Sequence, residues 1–420
     1  MQPEAELQVH SIIMNQQPSR PRKDKLWNAN YYKVMATNFS MSFAFYILTP
    51  LLPIYLSETF DAGKDTIGWV LSGYTIAALV IRPLSGYVVD TFERKKVLTL
   101  FLLVYFLFFG GYLFASTLLS FFIVRTVHGA PFGASTVANS TMAVDVLPSS
   151  RRNEGIGFYG LSNNIATAIA PTIGVMIYHN THDFRLLFWT ALVVSAFGFV
   201  TASTIDSPSR SPKQCSRKLS LDRFFLLRGW ALGFNLMFFG ICYGVLSNYL
   251  AIYGKEKMNI TDGTGYYFML LSIGLILSRL QGSKSLRQGK MLSNAAEGIL
   301  ISTVGYTIFT FVPTLSGYYA SALLIGLGNG HFWPAFQNMM IGMAHNNERG
   351  TANSTLLSSW DLGIGIGVLL GGVLAEHGGY RSAFVSMVIT HFLGLVSFFR
   401  LTRKSYLTKR LDNPSAPNGQ

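Results

Sequence analysis

Asp361 is the residue whose position most needs a reason. It lies about ten residues into the apolar segment 350–375, so a helix there carries it ~15 Å deep at 1.5 Å per residue. A charged side chain at such a depth in hydrocarbon costs about 2.5–3.5 kcal/mol or more. The other acidic residues fall in tails, loops or segment ends, including Asp90, Asp145, Glu154, Glu297 and Glu348. An apolar surround favours the neutral carboxyl and a nearby cation favours the carboxylate, so a group alternating between the two loads and releases a proton. Two other roles compete: a permanently paired structural carboxylate with Arg279 as partner, and direct contact with a substrate.

Three histidines and an arginine also fall within apolar segments. His331 stands in the polar run Asn329-Gly330-His331-Phe332-Trp333, with Gln337 and Asn338 beyond. Imidazole titrates near neutrality and can relay a proton or bind a substrate, although a hydrogen-bonded, non-titrating histidine fits the same pattern. His128 follows Arg125 by three residues. Arg125 stays charged at every relevant pH, so it is a fixed positive element that stabilises a carboxylate or closes a gate. His391 sits on an otherwise apolar segment and reads as structural.

The elements that must hold these groups follow from composition. Of 420 residues, 50% are hydrophobic and 13% charged, against roughly 25% charged in soluble proteins. Segments of about 20 apolar residues, long enough to cross ~30 Å of hydrocarbon, recur along the chain. Twelve helical spans are predicted: spans 1 to 6 at 32–56, 67–89, 96–114, 118–144, 153–178 and 185–205, and spans 7 to 12 at 227–253, 264–283, 292–312, 317–343, 350–375 and 381–402. Residues 1–30 and 404–420 read as polar tails and 206–226 as a basic linker, leaving bundles at 31–205 and 227–403. Cys215 and Cys242 offer neither a disulfide framework nor metal-ligand spacing. With both termini inside, 25 of the 33 Lys and Arg residues fall in cytoplasmic segments, five in outside loops and three within spans. That bias orients the chain and accounts for the net charge of +13 without nucleic acid.

The halves repeat at a nearly constant offset of 197 residues. Asn38 and Tyr46 in span 1 match Asn235 and Tyr243 in span 7; Arg82 in span 2 matches Arg279 in span 8; Gly133 in span 4 matches Gly330 in span 10. At this offset Asp361 corresponds to Asn164 in span 5, so its charge departs from local symmetry. Parallel repeats of six spans imply two bundles related by an axis along the membrane normal, with a site between them.

The loop after span 2 contains Gly86, Asp90, Arg94, Lys95 and Lys96 in an order that resembles the major facilitator superfamily signature Gly-x-x-x-Asp-Arg-x-Gly-Arg-Arg-Lys. Thr91 and Glu93 depart from that pattern. Span 4 carries Arg125-Thr-Val-His128-Gly129-Ala-Pro-Phe-Gly133, similar to the family's Arg-x-x-x-Gly-x-x-x-Gly element. Span 5 carries Ala166, Ala170, Pro171 and Gly174, a degenerate form of the antiporter-type Gly-x-x-x-Gly-Pro-x-x-Gly-Gly. The chain most resembles the drug:proton antiporter, arabinose-efflux-like branch. The resemblance implies an all-α membrane fold of two six-helix bundles that acts as a monomer. It also implies a cavity lined by spans 1, 4, 7 and 10, where Asn38, Tyr46, Thr49, Asn139, Asn235, Tyr243, Asn248, Tyr249, Asn329, Trp333 and Gln337 stand. It further implies that Asp90 latches the cytoplasmic side shut. A carboxylate there can accept hydrogen bonds from the N-terminus of span 11 near Thr351. Arg94, Lys95 and Lys96 equally suit a purely topological role, and Ala166, Ala170, Pro171 and Gly174 suit tight helix packing.

Aromatic faces with a few amides suit a planar or amphipathic organic solute. The leading expectation is a proton-coupled exporter of small organic molecules in the cell membrane, with substrate, protons and lipids as its partners and no cofactor. A proton-coupled importer or facilitator of a sugar or organic acid is the alternative. No His-Glu-x-x-His element or Gly-x-x-x-x-Gly-Lys-Ser/Thr loop is present, which argues against a metalloenzyme and against direct use of ATP.

Overall fold

The computed structural model describes residues 25–62, 64–206, 224–258 and 263–411. The tail reading for 1–24 and 412–420, and most of the basic linker, lie outside these residues. Helices account for the rest, in the order Ala29–Tyr46, Leu52–Phe60, Lys64–Thr91, Arg94–Phe114, Leu118–Val146, Arg152–Thr181 and Phe184–Ser203. The second half runs Trp230–Met258, Gly263–Arg287, Met291–Phe311, Leu315–Gly342 and Arg349–Ser397.

Two spans differ from their expected form. Span 1 is broken into Ala29–Tyr46 and Leu52–Phe60. Pro50 and Pro53 account for the break, since proline has no N–H to donate and restricts the residue before it. Spans 11 and 12 lie in one helical run, Arg349–Ser397, turned at Gly379 with φ 74° and ψ 170°. Only glycine adopts that backbone without strain. Span 12 ends in a π turn at Phe398–Thr402, which leads into a short helix, Arg403–Lys409, that lies almost wholly within the expected tail.

The repeat is visible in the packing. Thr117 and Thr314, at the same offset, cap spans 4 and 10 by accepting from Ser120 N and Gly317 N. A Cβ added at Gly129 would stand 2.0 Å from Tyr74 O, and one at the equivalent Gly326 would stand 2.0 Å from Leu271 O. Backbone therefore meets backbone where span 4 crosses span 2 and where span 10 crosses span 8. Such closeness is how small residues let helices associate in lipid.

Within each bundle large apolar side chains also face outward. Leu100, Leu107, Val193 and Phe197 are exposed on spans 3 and 6, as are Leu300, Val304, Ile389 and Phe392 on spans 9 and 12. An apolar girdle of this extent is a lipid-facing surface. Six of the helical stretches are apolar enough, by length and composition, to cross a membrane unaided. The bundles meet along two seams, span 2 against span 11 and span 5 against span 8. Asn28 Nδ2 donates to Val146 O, and Leu411 N donates to Gly342 O, so both described chain ends lie on one face, called here the terminal face.

Candidate functional site

Near the terminal face, Asp90 closes the first seam. Its Oδ1 accepts from Gly350 N at 2.8 Å, and its Oδ2 accepts from Thr351 N at 2.7 Å and Thr351 Oγ1 at 3.0 Å. The carboxylate thus sits on the first turn of span 11, where N–H groups lack helical partners and the dipole is positive. Gly86 makes the approach possible: a Cβ there would stand 2.7 Å from Ser354 Cβ and 3.0 Å from Gly350 O. Arg94 donates to Asp90, to Asp145 and to Asn346 O, and Arg349 reaches Asp145 from the other bundle at 2.8 Å. Lys95 and Lys96 lie at the periphery of this network, with Lys96 exposed and paired to Glu93 at 2.8 Å. Thr91 donates back to Tyr87 O.

About two turns deeper along span 2 is the second closure. Arg82 Nη1 forms an ion pair with Asp361 Oδ2 across the seam and donates to Leu357 O at 3.4 Å. Ser354 Oγ donates to Arg82 O at 2.6 Å, fixing the helix that carries the cation. The partner of Asp361 is therefore Arg82 and not Arg279, because span 11 packs on span 2 whereas span 8 packs on span 5. The Asp361 side chain retains 18% exposure against 7% for Arg82. The acid is the more accessible member of the pair.

Aromatic side chains surround the pair. Arg82 lies within electrostatic range of Tyr46 and Tyr74, and Tyr46 within range of Tyr243 in the opposite bundle. Tyr243 and Trp360 rings are 5.6 Å apart, and Trp360 meets Trp333 edge-on at 5.0 Å. Gln337 donates to Asn353, which donates to Thr141 of the other bundle at 3.2 Å. These hydrogen bonds and those at Asp90 run from the ion pair toward the terminal face.

The other polar candidates are bonded inside their own bundles. Asn38 donates to Ser162 at 2.8 Å and accepts from Tyr159, which also accepts from Asn139. Asn235 donates to Gly394 O, joining spans 7 and 12. Asn329 is buried in span 10, and Asn248 donates to Gly244 O within its own helix. Tyr249 OH donates to Val368 O on span 11, and Thr49 donates to Phe45 O near the break in span 1. His331 is buried between spans 8, 9 and 10 with Asn294 Oδ1 3.0 Å from its Nδ1. His391 lies between Ser302 and Thr303.

Arg125 stacks its guanidinium over Tyr74 at 4.1 Å from the ring centre and donates to Tyr112 OH, which lies 2.8 Å from His128 Nδ1. Its charge is held by aromatic faces, a favourable arrangement when desolvated. Ala166, Ala170 and Gly174 form the face of span 5 buried against span 1, where a Cβ at Gly174 would stand 2.3 Å from Ile47 O. Pro171 lies within the same helix, half-buried beside that face. Reasoning from sequence did not single out Trp360, Asn353 or Thr141, and used Arg82 only as a repeat match. The one available signal was that Trp360 precedes Asp361.

Two parallel bundles that close on one face around a buried cross-bundle ion pair are the architecture of a membrane transporter. Residues 34–293 and 295–417 match the family model of the Major Facilitator Superfamily, and the chain belongs to that family. It is similar to the staphylopine export protein of Staphylococcus aureus, 22% identical over 80% of this chain and 86% of that protein. It is also similar to multidrug resistance protein MdtG of Proteus mirabilis, 24% identical over 91% of this chain and 96% of that protein. The human organic anion transporter MFSD10 shares the fold, with a TM-score of 0.77 at 15% identity, covering 88% of this chain and 100% of that one.

Proposed function

We propose that the protein exports small organic or amphipathic molecules across the cell membrane in exchange for protons, with its terminal face in the cytoplasm. The Arg82–Asp361 pair carries this reading, because one ion pair is both the deepest described closure between the bundles and a proton-accepting group. In the state closed at the terminal face, Asp361 is held as a carboxylate by Arg82. A proton arriving from the opposite side neutralises the acid and removes the attraction across the seam. Asp90 and its helix-end partners then hold that face alone, and the bundles rock until it opens. Cargo entering from the terminal side displaces the proton, the pair reforms, and the face closes again. Tyr46, Tyr243, Trp333 and Trp360 supply the aromatic surfaces that a planar or amphipathic cargo meets. An export protein and multidrug resistance proteins stand among the relatives, which supports the direction proposed.

The test is transport in vesicles with an imposed pH gradient and an internal pH dye, with lipophilic cations, neutral antibiotics, sugars and organic acids added singly. Proton release coupled to one of these compounds, lost in Asp361→Asn, is expected. Equilibration without proton flux would instead make the protein a facilitator.

A further inference from the structure

The two seams are pseudo-symmetric in their arginines and asymmetric in their acids. Arg82 of span 2 meets Leu357 O and Asp361 on span 11. At the repeat offset the corresponding residues are Arg279 of span 8, and Gly160 and Asn164 on span 5. Arg279 occupies the same place: its Nη2 stands 3.2 Å from where a Cβ would sit on Gly160. Its Nη1 donates to Gly330 O at 2.7 Å, but its Nε has no partner among the described residues, and the side chain is nine-tenths buried or more. Asn164, one turn beyond Gly160, has a buried Nδ2 that also lacks one. The carboxylate of the first seam thus corresponds to an amide in the second: the Nε of both Arg82 and Arg279 is unpartnered among the described residues, but Arg279 has no acid across its seam and meets an amide whose Nδ2 has no acceptor.

A small cleft opens against this arginine, lined by Glu154, Gly157, Phe158, Ser278, Arg279, Ser283 and Leu286. Its acid, Glu154, is engaged by Arg151 through both oxygens at 2.8–2.9 Å and does not reach Arg279 among the recorded ion pairs. Tyr31, which donates to Gly155 O, and His331 are the titratable groups within electrostatic range of Arg279. At Gly157 and Gly160 a Cβ would stand 3.3 Å from Leu286 Cδ1 and 3.2 Å from Arg279 Nη2, so glycine lets the span 8 side chains lie directly on span 5. A buried cation with free N–H groups and no carboxylate is costly to keep unless something anionic visits it.

We propose that the span 5–span 8 seam is an anion subsite in which Arg279 and Asn164 receive a single negative group, such as a carboxylate. The seam then closes on a ligand anion as the other seam closes on Asp361. The anion is either the carboxylate of an anionic or zwitterionic cargo or a small inorganic ion such as chloride. The cargo arm rests on the exporter reading above, whereas binding itself does not depend on proton coupling.

Binding is measured on the purified full chain in detergent, without any gradient, in a buffer whose ionic strength is set with the sodium salt of MES, a bulky sulfonate. Thermal unfolding is followed while sodium chloride or sodium benzoate is added at constant ionic strength. A saturable rise in Tm of the wild type is expected, with a half-maximal concentration raised at least tenfold in Arg279→Gln and unchanged in Arg185→Gln, which removes an exposed arginine at the start of span 6. Response to benzoate alone assigns the subsite to a carboxylate-bearing cargo, and response to chloride assigns it to an inorganic anion.

Asn164→Asp is the second variant, because it supplies Arg279 with the acid present in the other seam. This variant is expected to fold with a raised Tm and to lose its anion response. No anion-dependent shift in the wild type, or an unaltered shift in both Arg279→Gln and Asn164→Asp, would overturn the proposal. Failure of proton-coupled transport in vesicles leaves these readouts unchanged, so the two readings fail separately.

Discussion

At the scale of single residues, a buried ion pair is a poor source of net stability but an effective switch, because removing one partner strands the other. Loss of one member of such a pair costs about 3–5 kcal/mol. Asp361→Asn is therefore expected to lower Tm, to abolish concentrative transport and to leave cargo binding within a few fold of wild type, measured by uptake into inverted vesicles and equilibrium binding. Retained gradient-driven uptake with normal pH dependence would remove Asp361 as the carrier. The exchanged variant Arg82→Asp/Asp361→Arg restores opposite charges across the seam and should recover most of the lost Tm. Asp361 was legible in the sequence because one acid stands alone at mid-span depth. Its partner was not: Arg82 and Arg279 occupy equivalent places in the repeat, and only the contact of span 2 with span 11 selects between them. Asn38, Asn139 and Asn235 were ambiguous for a related reason. A polar residue in a wholly apolar helix has no sequence signal for facing a path rather than a neighbouring helix, and here neighbouring carbonyls and hydroxyls claim all three.

At the scale of elements, glycine determines how closely helices approach, and so which face of the protein can close. Gly86 and Gly350 bring spans 2 and 11 into backbone contact; a Cβ on Gly350 would stand 2.7 Å from Gly86 O. Gly86→Val is expected to push the seam apart and weaken the hydrogen bonds from Gly350 and Thr351 to Asp90. Labelling of an engineered cysteine at Ser354 by a thiol reagent applied from the terminal side should then accelerate at least tenfold. Unchanged labelling would show that the seam tolerates the added methyls without opening. Gly174→Leu tests a different contact, span 5 on span 1, and should destabilise the fold without altering that accessibility. Gly86 and Gly174 stood out as motif residues in the sequence, whereas Gly350 did not. The break in span 1 did not, although Pro50 and Pro53 are its physical cause, because the surrounding residues continue the apolar run.

At the scale of the whole molecule, the contacts between bundles run from the ion pair to the terminal face, so alternation requires that these contacts separate as one set. Thr141 and Asn353 sit on opposite bundles within this set, their side chains 3.2 Å apart. Neither belongs to the ion pair or to the Asp90 latch, which makes the pair suited to a mechanical test. In a Cys215→Ser background, with Cys242 buried and unreactive, Thr141→Cys/Asn353→Cys can be joined by a short thiol crosslinker. Joining them is expected to reduce transport to background, with recovery on reduction, while each single variant treated in the same way retains activity. A third cysteine at Tyr243 reports on the opposite side, and its labelling from that side should be unaffected by the crosslink, since the joined state is the one closed at the terminal face. Transport that survives quantitative crosslinking would mean that cargo passes without separation of this seam, and rocking about the two bundles would no longer describe the cycle.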